Sequence, residues 1–260
     1  MAMSTAGRRV TRGVGFGIDI GGSGIKGAPV DLAAGGFRED RLRIPTPQPS
    51  TPTAVAETVS TLVGHFADRS GRLPIGVTFP AVIQHGVART AANVDGAWVG
   101  TDVDALLTAR LGRPVVVLND ADAAGLAETR YGAAKGVKGV VIVATLGTGI
   151  GSALICNGEL VPNTEMGHLE VDGFDAESRA ADSARQRDQL SWSKWAKRLQ
   201  RYFTAVENLF WPDLIVVGGG VSKKSDKFLP LLTLRTPIVP ATLLNDGGIV
   251  GAALYAAEHG

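Results

Sequence analysis

A strand, a short Gly/Ser/Thr turn and a return strand occur twice in this chain, and no other feature restricts its fold as much. The first unit is Val14–Ile20, the turn Gly21-Gly22-Ser23-Gly24, and Ile25–Val30. The second is Gly139–Leu146, the turn Gly147-Thr148-Gly149, and Ile150–Cys156. β-Branched runs broken by small turn residues predict hairpins. Successive backbone N–H groups in such a turn can cradle an anion without a basic side chain. One Gly motif is weak support for phosphate, since a plain hairpin looks the same. Two of them, each opening a lobe across a shared cleft, would clamp a polyanion from both sides. The 34 Gly of this 260-residue chain fall in clusters with no collagen-like period, which assigns them to turns and close backbone approaches.

Around the two hairpins, strands alternate with helices. Strands are predicted at Leu42–Ile44, Pro74–Phe79, Pro114–Leu118, Leu214–Val217 and Ile238–Val239. Helices are predicted at Ala54–Asp68, Asp102–Leu111 with Thr101 as N-cap, Ala121–Tyr131, Trp192–Phe210 and Ile249–Glu258. The alternation defines an α/β protein. Residues 1–13 are polar and basic with no apolar segment behind them, so they read as a disordered tail and not a signal peptide. Residues 14–118, closed by a helix from 246–258, form a smaller N-terminal lobe, and 119–245 a larger C-terminal one.

A net charge of +1 argues against nucleic acid or a membrane surface as partner. No segment is long and apolar enough to span a bilayer. The single cysteine, Cys156, excludes an internal disulfide and a zinc site built on several thiolates, and it suits the cytoplasm.

Two segments carry polar chemistry. Asn119-Asp120 stands where a strand ends and a helix begins, the end of an α/β sheet that presents ligand-contacting residues. An Asp in that place is, on its own, more often a helix N-cap. Glu165-Met166-Gly167-His168 joins a carboxylate and an imidazole three residues apart, although a lone histidine is more often structural.

Taken together, five segments resemble, in order, the motifs of the ROK family of sugar kinases. They are Gly17-Ile18-Asp19-Ile20-Gly21-Gly22-Ser23-Gly24-Ile25-Lys26, Asn119 to Ala124, Thr145-Leu146-Gly147-Thr148-Gly149-Ile150-Gly151, Glu165 to His168, and Val216-Val217-Gly218-Gly219-Gly220-Val221. The resemblance implies an actin-like ATPase/hexokinase-type two-lobed fold with a ribonuclease H-like motif, and a hexose bound between the lobes. It implies Asp120 as general base, and Asn93, Asn119, Asp120, Glu165, His168 and Glu177 as sugar ligands. Phosphate contacts would come from Asp19, Gly21, Gly22, Ser23, Gly24, Lys26, Thr145, Gly147, Thr148 and Gly149, with Gly218, Gly219 and Gly220 on the adenosine side. Asp19 would hold Mg²⁺ through water. The family's cysteine-rich loop after the histidine is replaced here by Val171 to Glu177, so no structural zinc is expected. Repressor members carry a DNA-binding domain ahead of the first motif, and the 18 residues before Asp19 leave no room for one.

Where the zinc loop would be, residues 178–201 hold seven basic side chains against two acidic ones. Lys194, Lys197, Arg198 and Arg201 repeat at i, i+3, i+4, i+7 on the Trp192–Phe210 helix, with Trp192, Trp195, Leu199, Tyr202, Phe203, Val206 and Leu209 assigned to the core side. Arg187, Lys223 and Lys224 extend the same charge. A solvated helix face is the ordinary reading of such a run. A one-sign groove for a long polyanion is the sharper one. Ala176 to Ala180, Trp211-Pro212-Asp213-Leu214 and Gly218 to Pro230 resemble the polyphosphate-using glucokinase branch of the family. This implies inorganic polyphosphate or ATP as donor and glucose, with mannose, as acceptor. An ATP-only hexose or N-acetylmannosamine kinase and a sugar-sensing binding protein are the alternatives. Monomer and homodimer both remain open.

Overall fold

A computed structural model describes residues 13–67, 73–91 and 94–260. The tail expected at 1–13 therefore lies almost wholly outside the described residues, as does Asn93.

Two sheets are built to one plan. In the first, the order is β3 (Gly36–Phe37), β2 (Gly24–Asp31), β1 (Val14–Gly21), β5 (Ile75–Phe79) and β8 (Val115–Asn119), with β4 (Leu42–Ile44) also on β2. In the second it is β11 (Glu159–Val161), β10 (Ile150–Cys156), β9 (Val140–Leu146), β14 (Leu214–Gly218) and β15 (Ile238–Pro240). Each opens with an antiparallel hairpin, β1–β2 or β9–β10, whose first strand then pairs in parallel with a later one. The repeated turn seen in the sequence is thus the visible end of a repeated sheet, as the actin-like/hexokinase-type fold requires. Two small hairpins stand apart, β6 (Ile83–Gln84) with β7 (Val87–Ala88) and β12 (Glu170–Val171) with β13 (Phe174–Asp175).

Parallel pairing needs long crossovers, and helices supply them. α1 (Pro52–His65) starts at a Thr51 cap with Pro in its first turn, two residues ahead of the predicted Ala54. α2 (Val103–Leu111) is capped by Asp102, whose carboxylate accepts the Ala105 N–H at 2.9 Å, and not by Thr101, whose hydroxyl donates to the Ala97 carbonyl. α3 (Asp120–Tyr131) follows β8 directly. α6 (Trp192–Phe210) has the predicted bounds and buries Trp195, Leu199, Tyr202, Phe203 and Val206. Leu209, assigned to the core, is 63% exposed because the last turn of α6 runs past the edge of the core, where Trp211 is exposed too.

The two remaining packing elements exchange sheets. α7 (Gly247–His259) follows the second sheet yet lies on the first: a Cβ on Gly17 would stand 1.9 Å from the Ile249 carbonyl oxygen, and one on Gly76 1.8 Å from that of Ala252. Only glycine permits helix and strand backbones to approach so closely. α3 leaves the first sheet and packs on β9 and β10 of the second. The two helices then pack on each other, with Gly251 against Ala123. Asp120 therefore begins the helix that joins one sheet to the other. No helix among the described residues is long and apolar enough to cross a membrane.

Candidate active site

Asp19 is held by the residues directly opposite it on both neighbouring strands. Lys26 faces it from β2 and Thr78 from β5. The Lys26 ammonium donates to Oδ2 at 3.0 Å and the Thr78 hydroxyl to Oδ1 at 2.9 Å. The β1–β2 turn is fixed from the side by Thr46, which donates to the Gly21 carbonyl, and by Arg43, whose Nη2 donates to the Ser23 carbonyl at 2.8 Å. The exposed Arg43 guanidinium occupies the space a side chain on Gly24 would need. It is a cation at the β1–β2 turn that the motif reading missed.

Asn119, and not Asp120, caps α3. Its Oδ1 accepts the N–H groups of Ala121 at 2.8 Å and Asp122 at 3.2 Å, and its Nδ2 donates to the Ala81 carbonyl at 3.1 Å. This division of labour leaves Asp120 as the first helical residue, with one local bond from the Ala121 N–H at 2.9 Å. The Asp120 side chain still meets solvent, but protein walls crowd its carboxyl group. That crowding, then the negative charges of Asp19 and Glu165, push its pKa up to about 6. Behind it Asp122 is 2% exposed and accepts the Asn163 N–H at 2.8 Å. Burial, with Glu165 and Asp120 nearby, raises Asp122 to about 7.

Glu165 is positioned through its backbone. The buried Ser152 hydroxyl on β10 donates to the Thr164 carbonyl and accepts the Met166 N–H, so both flanks of Glu165 are tied to one side chain. Asn163, two residues earlier, has φ 58° and pairs its side-chain amide with the N–H and carbonyl of Ile83 at 2.8 and 2.7 Å. Burial raises the Glu165 pKa, while His168 pulls it down. His168 Nδ1 lies 2.8 Å from Asp175 Oδ2, and this bond holds the imidazole pKa above its ordinary value. With the proton on Nδ1, Nε2 is left for a ligand. The β12–β13 hairpin delivers Asp175, which the sequence reading missed. Glu177, at the start of α4 (Glu177–Ala180), accepts the Ile150 N–H at 2.9 Å. One polar atom each of His168, Asp175 and Glu177 lies within 4.8 Å of the others.

The β9–β10 turn is buttressed rather than open. The Gly147 N–H is engaged by the Gly149 carbonyl at 3.0 Å, so it is not offered to a ligand as expected. Ser183, in the first turn of α5 (Asp182–Arg187), donates its N–H to the Gly147 carbonyl at 3.1 Å and its hydroxyl to that of Thr148 at 2.5 Å. Thr145 faces both Gly218 on β14 and Gly151 on β10. Gly219 has φ +81°, and a Cβ there would sit 2.3 Å from the Leu146 carbonyl oxygen. This accounts for a glycine before the turns at Gly220–Lys227.

The expected basic track divides in two. Arg187 and Arg198 both reach Asp188, at 2.9 and 2.7 Å, and Arg201 makes a two-pronged contact with Asp172. These two arginines drop Asp188 to about 2. Lys194, Lys197, Lys223 and Lys224 are exposed, with no ion-pair partner among the described residues.

The structure thus links Asp19 to Asp120, Asp120 to Glu165, and Glu165 to His168 and Glu177 in a chain of electrostatic contacts. A carboxylate with a raised pKa stands between the Gly-rich β1–β2 hairpin and the Glu165–His168 cluster, in the layout of a phosphotransferase of the actin-like/hexokinase architecture. The chain belongs to the ROK family, which it matches over residues 15–183. It is 57% identical to the polyphosphate glucokinase of Mycobacterium tuberculosis across 92% of its own length and 90% of that protein's. It superposes on the inorganic polyphosphate/ATP-glucomannokinase of Arthrobacter sp. strain KM with a TM-score of 0.91 at 60% identity, covering 95% of this chain and 99% of that one. A ROK family glucokinase from Streptomyces griseus, solved with glucose and AMPPNP, shares the fold at a TM-score of 0.82 and 23% identity, over 95% and 100% of the two chains.

Proposed function

We propose that this enzyme transfers the terminal phosphoryl group of inorganic polyphosphate or ATP to the 6-hydroxyl of glucose, and of mannose as a second acceptor. The observation that carries the reading is Asp120, released from capping by Asn119 and set beside Asp19 and Glu165.

In this reading the sugar sits against Asp120, Glu165, His168 and Glu177, with Asn93 and Asn119 completing the hydroxyl contacts. Asn119 has one amide proton beyond its bond to Ala81. The 6-hydroxyl gives its proton to the Asp120 carboxylate as its oxygen bonds to the terminal phosphorus, and the bond from that phosphorus to the rest of the donor breaks. The shortened polyphosphate, or ADP, carries away the electron pair. General-base assistance of this kind is worth about 10²–10⁴-fold. The rest of the rate comes from positioning and charge stabilisation, which dominate phosphoryl transfer. Gly21 to Gly24 and Thr145 to Gly149 bound the phosphate chain, Lys26 and Arg43 supply cationic charge, and Gly218 to Gly220 border the adenosine of ATP.

The hard oxygens of Asp19 suit Mg²⁺: each accepts a single hydrogen bond, and the carboxylate is 19% exposed, which leaves room for a metal-bound water. When bound, Mg²⁺ neutralises charge on the donor phosphates.

The direct test crosses three acceptors (glucose, mannose and N-acetylmannosamine) with two donors (ATP and polyphosphate). Hexose 6-phosphate from glucose and mannose with both donors is the expected result. Product from ATP alone, or from N-acetylmannosamine in preference to glucose, would replace this reading with that of an ATP-dependent hexosamine or hexose kinase.

A further inference from the structure

Outside the cleft, a pocket of about 80 Å³ opens between the β12–β13 hairpin, α4 and α6. Arg179, Arg198, Arg201 and Tyr202 line it together with Asp172 and Asp175. Most of its charges are already matched. Arg201 directs Nε and Nη2 at Asp172, Arg198 directs Nη1 at Asp188 and at the Arg179 carbonyl, and Asp175 is held by His168. Arg179 is different. It is in no close ion pair among the described residues, reaching Asp172 only at longer range, and its guanidinium lies 3.1 Å from the centre of the Phe174 ring, itself 44% exposed. Three arginines against two carboxylates line the pocket, an excess of positive charge, and Arg201 Nη1 and Arg198 Nη2 remain as unused donors.

A second feature points the same way. Tyr202 is 1% exposed, and its hydroxyl has no hydrogen-bond partner. A buried hydroxyl without a partner is unfavourable and calls for one. Burial also keeps this phenol protonated, so it can act only as a neutral donor or acceptor beside the arginines. Guanidinium forks plus a neutral hydroxyl match the oxygens of a phosphoryl group better than they match a carboxylate already in place.

We infer that this pocket binds a phosphoryl group, presented either by inorganic phosphate or by the end of a phosphate chain, through Arg179, Arg201 and Tyr202. The site adjoins the proposed sugar site and shares with it the hairpin that carries Asp175 to His168 and the α4 helix that begins at Glu177. It rests on the proposed function for nothing but the supply of phosphate compounds.

The test keeps the two readings apart. The full chain is saturated with glucose and a non-hydrolysable ATP analogue, whose own binding isotherm reports on the cleft. Inorganic phosphate and tripolyphosphate are then titrated in by calorimetry. One further phosphate per chain is expected, weakened about tenfold by Arg179→Gln and by Tyr202→Phe, each of which removes a donor to a charged ligand. Tyr202→Phe keeps the ring and hence the packing of α6, so a fold defect in the arginine variant leaves the question answerable. Tighter binding of tripolyphosphate assigns the site to a chain end, and equal or weaker binding assigns it to the free anion. If the filled wild-type chain takes up no phosphate, or both variants bind as the wild type does, the inference is wrong.

Discussion

At the residue scale, Asp120 is set apart from ordinary helix-start acids by its neighbours. Burial of its carboxyl group raises its pKa most, Asp19 and Glu165 add negative charge, and the backbone N–H groups it accepts offset this only in part. The consequence for pH has a definite sign. A general base works only when unprotonated, so kcat/KM for glucose should rise as pH passes upward through about 6 and level off above it. Replacing Glu165 by Gln removes one of the charges that raise Asp120, so the same limb should move to lower pH even as the sugar KM increases. A kcat/KM that is flat between about pH 5 and 8 would show that no such carboxylate limits the reaction. His168 titrates at higher pH than a free imidazole on the surface, since its bond to Asp175 favours the charged form.

At the scale of elements, local chemistry was legible and long-range support was not. The bounds of α6 and β10 could be read because a 3.6-residue apolar period and a β-branched run are local signals. The exchange of α1's start and of the α2 cap from Thr101 to Asp102 shows the limit of that approach, since neighbouring oxygens compete for the same amides. The supports of the site lie further apart. Ser183 reaches the turn at Thr148 across 35 positions, and Asn163 reaches Ile83 across 80. Nothing in the sequence around Ser183, Asn163 or Arg43 marks these contacts. Ser152 and Asp175 left fainter traces, a polar residue at an inward β10 position and an acid near the sugar motif. Ser183→Ala tests the buttress on the second turn. Losing one hydrogen bond of about 1 kcal/mol should raise the donor KM several-fold, with glucose KM and melting temperature nearly unchanged. An unchanged donor KM would reduce α5 to a spacer.

At the scale of the whole molecule, two sheets of one design exchange helices, and the site lies where the exchange occurs. α3 carries Asp120 from the first sheet onto the second, and α7 returns to pack on β1 behind Asp19. The family's five motifs were readable because each falls at a strand end or turn of this duplicated plan. The donor preference belongs to this scale too, since it depends on surface charge spread over α6 and the turns after β14. Arg187, Arg198 and Arg201 are partly neutralised by Asp188 and Asp172, so the four exposed lysines are the better candidates for a long polyanion. Replacing Lys194, Lys197, Lys223 and Lys224 by Gln should raise KM for polyphosphate more than for ATP, and the difference should shrink in high salt as screening removes the field. Equal effects on both donors would return the stripe to an ordinary solvated face.

The central claim is that Asp120 removes the proton from the 6-hydroxyl of a bound hexose, and Asp120→Asn examines it most directly. The variant keeps the shape of the side chain while removing its basicity. Glucose binding by calorimetry should stay within a few-fold of wild type, while glucose 6-phosphate formation from both polyphosphate and ATP falls by about 10²–10⁴-fold. Turnover near the wild-type rate with either donor would contradict the account.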